Sequence, residues 1–340
     1  MTYNTILYSD RIEYKKISIV MCTYNGEKYL DEQLNSILNQ TYPIYELIIK
    51  DDYSTDTTYS IIQEYAQRYP VIRCLRNTRR QGVNSNFFSA IKIATGDYIA
   101  ISDQDDIWEL DKIELQIKAI GSNLLCSGFS KPFAEGGTPI HFDVRMPNYN
   151  LLRVIYVNNL PGHTLLFSRN LLIRLPNDLS EISSIRLYDV IIVMVAMAYN
   201  SVVFINKVLV HQRRYPEAVS YYFPTNNQLT ISNIAKRIFS TIAYYKELKP
   251  EMQRRFHIML CFFNQLSSKT PIIEEAIRMT ELQSSSSIIS FFKLSFFCVK
   301  MRDKIFHAKE PRRLLSVLRA IYFPVSCSEY YRYLSEKHNR

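Results

Sequence analysis

Short apolar runs alternate with amphipathic stretches across the first third of the chain, and this order restricts the fold more than any other feature. Runs of strand length occupy 17–22, 46–50, 71–75 and 97–102. Between them, 27–39 places Leu30, Leu34, Ile37 and Leu38 at helical spacing, 57–68 turns Tyr59, Ile62, Tyr65 and Ala66 to one side, and 84–94 reads as a third helix. Strand, turn and helix in repetition predict an α/β fold with a mostly parallel sheet flanked by helices. The loops after the strands then share one rim, the edge at which open sheets bind ligands.

Past residue 122 the alternation loosens. Strands are expected at 124–127 and 164–168, around a Gly- and Pro-rich excursion at 135–139, with closing strands at 201–205 and 208–211. The aliphatic stretch 187–199 predicts a buried helix, too short to span a bilayer. Beyond Tyr222 the chain becomes helical in pattern and rich in Lys, Arg, Phe and Tyr, with breaks at Pro224 and 284–287. Two regions are therefore expected, 1–222 and 223–340. Charge follows the same division. Residues 1–224 carry 22 Lys and Arg against 23 Asp and Glu, a net of −1, whereas 225–340 carry 19 against 9, a net of +10. The basic half implies a polyanionic neighbour, a nucleic acid or an anionic membrane face.

Absences narrow the chemistry. Only eight glycines occur, and no glycine-rich phosphate loop is among them, so a nucleotide would have to be held by other means. The six cysteines form no C-x-x-C pair and suit neither a zinc site nor a disulfide framework. With no signal-like apolar segment at the start and no long apolar run, the expected compartment is the reducing cytosol.

Four polar clusters fall on the expected rim: Thr23-Tyr24-Asn25-Gly26, 51–56 (DDYSTD), Gly82 with Asn84 and Asn86, and 103–108 (DQDDIW). Asp103 and Asp105 have the D-x-D spacing that puts two carboxylates on one side of an extended segment, and Asp106 is a third candidate. Such a set suits a hard divalent ion, Mn²⁺ or Mg²⁺, bridging two phosphate oxygens. Asp51, Ser54 and Asp56 fit turn and helix-cap roles. Trp108 follows the acidic cluster, where it would either stack on a sugar ring or pack in the core.

The segments ISIVMCTYNGEKYLDEQLNSILNQTY (17–42), ELIIKDDYSTDTT (46–58), RRQGVNSNFFSAIKIATGDYIAISDQDDIW (79–108) and LYDV (187–190) closely resemble the family-2 glycosyltransferases of the GT-A fold, especially the rhamnosyltransferase-like branch of bacterial polysaccharide assembly. The likeness is dense over about 17–120, thinner to about 220 and absent beyond. It implies a UDP- or dTDP-sugar donor, with Asp52 accepting from a uracil or thymine N–H, Thr23, Tyr24 and Asn25 shaping the base and ribose pocket, Asp105 on the metal and Asp103 on ribose or metal. Tyr24 has simple packing as its alternative, and Arg79 and Arg80 either touch phosphate or are solvated. Asp189 stands where the family carries an acidic residue, and an inverting transfer needs such a base for the acceptor hydroxyl. Tyr188 replaces the histidine common before it. Gly162 and His163 resemble the acceptor-side segment. In HQRRYPEAVS (211–220), Tyr215 takes the place of a family histidine that reaches the metal or diphosphate, leaving Arg213 or Arg214 as diphosphate ligands.

The implied function is inverting transfer of one sugar to a hydroxyl of a lipid-linked oligosaccharide in surface-polysaccharide (O-antigen or capsule) synthesis. Basic aromatic helices at 288–306 and 311–323 would place the chain peripherally on the inner face of the plasma membrane. Alternatives are a catalytically inactive nucleotide-sugar-binding relative, a nucleotidyltransferase, and a nucleic-acid binder using the tail. The tail has no helix-turn-helix, zinc or RNP-like pattern, so no nucleic acid is expected as partner.

Overall fold

The computed structural model describes residues 14–134, 140–215, 231–306 and 313–338, and only the backbone of 231–244, 246 and 326–338. The excursion at 135–139, the boundary at 222–223, Pro224 and the 216–220 string lie outside the described residues. In chain order the elements are β1 (Ile17–Thr23), α1 (Leu30–Leu38), β2 (Glu46–Asp51), α2 (Thr58–Arg68), β3 (Ile72–Arg76), α3 (Val83–Lys92), β4 (Tyr98–Ser102), β5 (Ile107–Trp108), α4 (Lys112–Ile120) and β6 (Leu125–Ala134). There follow α5 (Leu151–Val154), β7 (Leu166–Ser168), α6 (Ser180–Ser183), α7 (Tyr188–Ala198), β8 (Val202–Arg214), α8 (Ile231–Gln265), α9 (Pro271–Ser284), α10 (Ile288–Lys300), α11 (Arg302–Ile305) and α12 (Arg313–His338).

One sheet runs β3-β2-β1-β4-β7-β6-β8-β5. The first four strands are parallel, as the alternating sequence requires, and β7 and β5 run against their neighbours. The period-2 pattern of each strand sorts its side chains between two cores. Val20, Ile48, Ile99 and Ile101 enter the core that holds α3 and α7, while Ile19, Met21, Leu47, Ile49 and Ala100 enter the core beneath α1, α2 and α4. α7 is buried on nearly every side, which explains its uniformly aliphatic sequence.

Instead of two closing strands, β8 is a single strand from Val202 to Arg214 beside β6. The pairing steps from Gly128↔Ile205 to Phe129↔Val208, so Asn206 and Lys207 bulge out of register without ending the strand. That bulge is the polar interruption the sequence shows there. α9 ends at Ser284 and α10 begins at Ile288, within the expected serine break.

The carboxyl-terminal helices share a core with the sheet. Met252, Phe256, Met259 and Phe263 of α8 recur at i, i+4, i+7 and i+11 and are buried in the cluster that contains Val20 and Ile101. Thr270, the N-cap of α9, donates to the Ala198 carbonyl at the end of α7 (2.9 Å). Phe256→Ala would remove a fully buried ring from this shared core. A loss of about 3–5 kcal/mol in unfolding free energy is expected, read by denaturant titration with an unbroken single transition.

Candidate active site

Parallel pairing brings the ends of β1, β2 and β4 together: Thr23 lies beside Asp51, and Met21 beside Ser102. The turn after β2 is built by its own side chains. Buried Asp51 accepts from the Thr23 hydroxyl (3.0 Å) and the Ser54 backbone N–H (2.9 Å), with Arg76 at 3.3 Å. Asp56 accepts from the Thr58 N–H at the start of α2 (3.0 Å). Asn25 (φ 48°) and Tyr53 (φ 66°) sit in the left-handed region, a conformation bulky residues adopt only where surrounding bonds impose it. For Asn25 those bonds are its N–H to Ser54 Oγ (3.0 Å) and its side-chain oxygen, which accepts from the Thr55 N–H (2.9 Å).

Asp52 is buried at the foot of this rim. Its Oδ1 accepts from Asn77 Nδ2 (2.7 Å) and the Gln81 N–H (2.7 Å), and its Oδ2 from the Gly82 N–H (2.8 Å). Of the four lone-pair positions of a carboxylate, about one is left for a ligand. Tyr24 is clamped by Gln104, whose side-chain oxygen accepts the Tyr24 N–H (2.9 Å) and whose amide donates to the Tyr24 carbonyl (3.1 Å). A Cβ on Gly26 would lie 2.4 Å from that amide, so the clamp requires glycine there. Arg80 covers the Tyr24 ring at 4.1 Å.

The acidic cluster bends at Gln104 and Asp105, so the same-side rule for i and i+2 in extended backbone does not apply. Asp103 and Asp106 instead flank the buried ring of His163, whose Nδ1 is 3.0 Å and 3.3 Å from their Oδ2 atoms. The other ring nitrogen lies 2.8 Å from Ser130 Oγ. Asp105 turns the other way and accepts a hydrogen bond from the Tyr215 hydroxyl. Burial foremost, with the neighbouring carboxylates, raises Asp106 to about 7 and also raises Asp105. Burial by itself would lower His163, but Asp106 and Asp103 outweigh it and its pKa rises.

One ligand atom from each of Asp103, Asp106 and His163 falls within 4.8 Å of the other two. Asp106 Oδ2 is buried without a hydrogen-bond partner, an arrangement a divalent cation would satisfy. Two carboxylate oxygens and one imidazole suit Mn²⁺, and the oxygens suit Mg²⁺. The residues present therefore fit the expected metal, with His163 added to the donor set.

Asp189 opens α7 and is half-buried. Burial, with Asp103 as the nearest repelling charge, raises its pKa to about 6, against the opposing pull of hydrogen bonds from the Val190 and Gly162 N–H groups. The Gly162–Thr164 turn presses against it: a Cβ on Gly162 would lie 2.8 Å from the Tyr188 hydroxyl and 3.2 Å from Asp189 Cβ. Tyr188 cannot yield easily, because its ring stacks on Phe87 at 3.8 Å. Asn84 holds the approach to α7, accepting the Tyr188 N–H (2.7 Å) and donating to the carbonyls of Ser183 (2.7 Å) and Arg186 (2.9 Å).

Other expected residues lie elsewhere or serve the frame. Trp108 is 2% exposed and packs in the core with the Lys112 ammonium 3.7 Å from its ring centre, so the sugar-stacking alternative gives way to core packing. Arg213 is buried between the rings of Tyr29 and Phe133, paired with Glu32, and donates to the Asp105 carbonyl (3.0 Å). Arg214 follows it, half-buried at the end of β8. His211 faces Glu109 at 2.6 Å, away from the acidic cluster. Gln104 and Asn84 lie in the expected rim clusters with roles the sequence did not show, and Ser130 is a site-building residue it did not point to. Ser130 and Asn84 act across 33 to 104 residues of chain, and no spacing rule reaches that far.

Residues 18–174 match the family model described as Glycosyl transferase family 2. Relatives include a dTDP-rhamnosyl transferase, RfbG, of Shigella flexneri (42% identity over 30% of this chain and 37% of the relative). Another is the Escherichia coli glucosyltransferase WfgD, named for UDP-Glc and α-D-GlcNAc-diphosphoundecaprenol (36%, over 32% and 42%). A third is the putative teichuronic acid biosynthesis glycosyltransferase TuaG of Bacillus subtilis (31%, over 38% and 53%). The matches thus span about half or less of those relatives. The crystal structure of S. aureus TarS 1–349 with UDP-GlcNAc superposes with a TM-score of 0.54 at 16% identity, over 93% of this chain and 91% of that one. The shared architecture is the GT-A fold.

Burial of Asp189 makes a signed prediction for stability. At neutral pH the carboxylate is charged in both folded and unfolded states, and the folded state bears the desolvation penalty. As pH falls through about 6 the folded form protonates first, and below the ordinary value of 3.8 both forms are neutral. Asp189→Asn should therefore raise unfolding free energy at neutral pH by up to about 3 kcal/mol. In paired denaturation curves that advantage should shrink to nothing as pH drops toward 4; an advantage independent of pH would show that Asp189 is not desolvated.

Proposed function

We propose, from the match of residues 18–174 to the glycosyl transferase family 2 model, that the chain is an inverting, metal-dependent glycosyltransferase that moves a sugar from a UDP- or dTDP-sugar to a hydroxyl of a lipid-linked saccharide in bacterial surface-polysaccharide synthesis. One observation carries the reading: Asp103 and Asp106 flank His163, and the Gly162–Thr164 turn that carries His163 presses against Asp189, which supports a single cleft for metal and base. Asp52 and the Thr23–Asn25 turn stand on the same rim for the nucleoside. The named donors and acceptors of the relatives supply the chemical class, and the basic region 223–340 would belong to the same enzyme.

The acceptor oxygen attacks the anomeric carbon as the bond from that carbon to the diphosphate breaks. Asp189 takes the hydroxyl proton, and inversion follows from attack opposite the departing diphosphate. A divalent cation held by Asp103, Asp106 and His163, with Asp105 beside them, would neutralise the charge that builds on that diphosphate. His163 would then be neutral, offering Nδ1 while Nε2–H donates to Ser130. Tyr24 and Gln104 fix the turn beneath the nucleoside, and Asn84 fixes the entry to α7, so that base and donor keep their relative places.

A thermal-shift panel of UDP- and dTDP-sugars, with and without Mn²⁺, tests donor and metal together. Stabilisation by one nucleotide class is expected only with metal, and Asp103→Ala should abolish it. Asp189→Asn should leave this shift in place while lowering transfer at least 100-fold. The wild-type rate should fall tenfold per pH unit below about 6, as the base protonates. A near-normal rate in Asp189→Asn would remove Asp189 from the role.

A further inference from the structure

The carboxyl-terminal helices bury most of their apolar side chains, yet one face stays bare. On α10, Ile288, Ile289, Phe292 and Phe296 are 72%, 63%, 66% and 74% exposed. On α12, Leu314, Leu318 and Ile321 are 75%, 54% and 49% exposed. Ile289, Phe292 and Phe296 follow i, i+3, i+7, and Leu314, Leu318 and Ile321 follow i, i+4, i+7, so each set forms one helical stripe. The two helices pack together, with Ser295 Oγ donating to the Ile321 carbonyl (3.4 Å), and the stripes flank that seam.

Charge identifies what covers the face. Lys293 and Lys300 are exposed on the α10 stripe, and Arg313 is exposed at the start of α12. Neither α10 nor 313–325 contains an acidic residue, within a region of net charge +10. Glu274, Glu275 and Glu281 of α9 border the stripe, lining one groove with Phe292, Lys293, Phe296 and Lys300, and Glu275 is paired with Lys304. An anionic lipid surface meets both demands, taking the apolar side chains below the headgroups and the ammonium groups among them. No described helix is long and apolar enough to cross a membrane, so the contact is one of surface seating.

We propose that the α10–α12 face seats the protein on anionic bilayers. The inference shares no residue with the cleft and stands apart from the transfer reading. Flotation of the full chain with vesicles of phosphatidylcholine alone, and of an equal mixture of phosphatidylcholine and phosphatidylglycerol, tests it. Binding is expected to the mixture, weakening as salt rises, and little to phosphatidylcholine. The pair Phe292→Ser and Phe296→Ser should lower partitioning on the order of tenfold per ring. The pair Lys293→Ala and Lys300→Ala should lower it roughly fivefold per charge, on anionic vesicles only. All four residues are exposed, so both variants should keep the wild-type melting temperature, which separates lost docking from lost folding. The proposal is overturned if the wild type floats with neither vesicle or if the variants float like the wild type. It is also overturned if the wild type sediments as a dimer that the phenylalanine pair makes monomeric, which would assign the face to a second copy.

Discussion

Crowding of carboxylates around one buried imidazole sets the terms for the rest of the structure. Asp103 repels Asp105, Asp106 and Asp189, three carboxylates on which burial already disfavours charge. His163 is fixed between Asp103 and Asp106, with Ser130 on its far nitrogen, and it is the group that makes the cluster tolerable. Without a positive partner such a set would protonate or spread apart. The surrounding frame is correspondingly stiff. The ends of three parallel strands deliver the groups, Gln104 ties the β1 loop to the acidic loop, and Asn84 ties α3 to the start of α7.

The sequence displays the sheet plainly because its signals are local. Each parallel strand is a short apolar run, and all but the edge strand β3 have a neighbour on either side, while the amphipathic stretches between have room for only one face. Later strands are less legible. β5 has two residues, and its existence depends on pairing Ile107 and Trp108 with His211 and Val210, about a hundred positions away. The unity of β8 depends on β6 bridging a bulge that looks, locally, like a turn.

For the site, residue types and their rim were visible, but side-chain directions were not. The D-x-D spacing carries directional information only in extended backbone, and the bend at Gln104–Asp105 divides the carboxylates between His163 and Tyr215. Trp108 reads equally well as a sugar platform or a core residue until its neighbours are known, and Lys112 and the second core decide it. Tyr215 matters through a contact the sequence could not show, its hydroxyl on Asp105. A phenol at this point donates to the carboxylate and holds Asp105 apart from the pair that faces His163.

The basic helices show how one segment can serve two solvents. The i, i+4, i+7, i+11 set on α8 is spent on the core shared with the sheet, and this ties the region to the sheet mechanically. α10 divides its circumference, with Leu294, Phe297 and Cys298 inward and Ile289, Phe292 and Phe296 outward. A helix that is apolar on both sides needs two apolar environments, and the fold supplies only one. The outer stripe is therefore not a by-product of packing: its rings contribute nothing to the core, and in water they carry a free-energy penalty that polar residues would not. That penalty, borne on a helix that carries lysines and no acid of its own, gives the outer stripe its meaning as a contact surface.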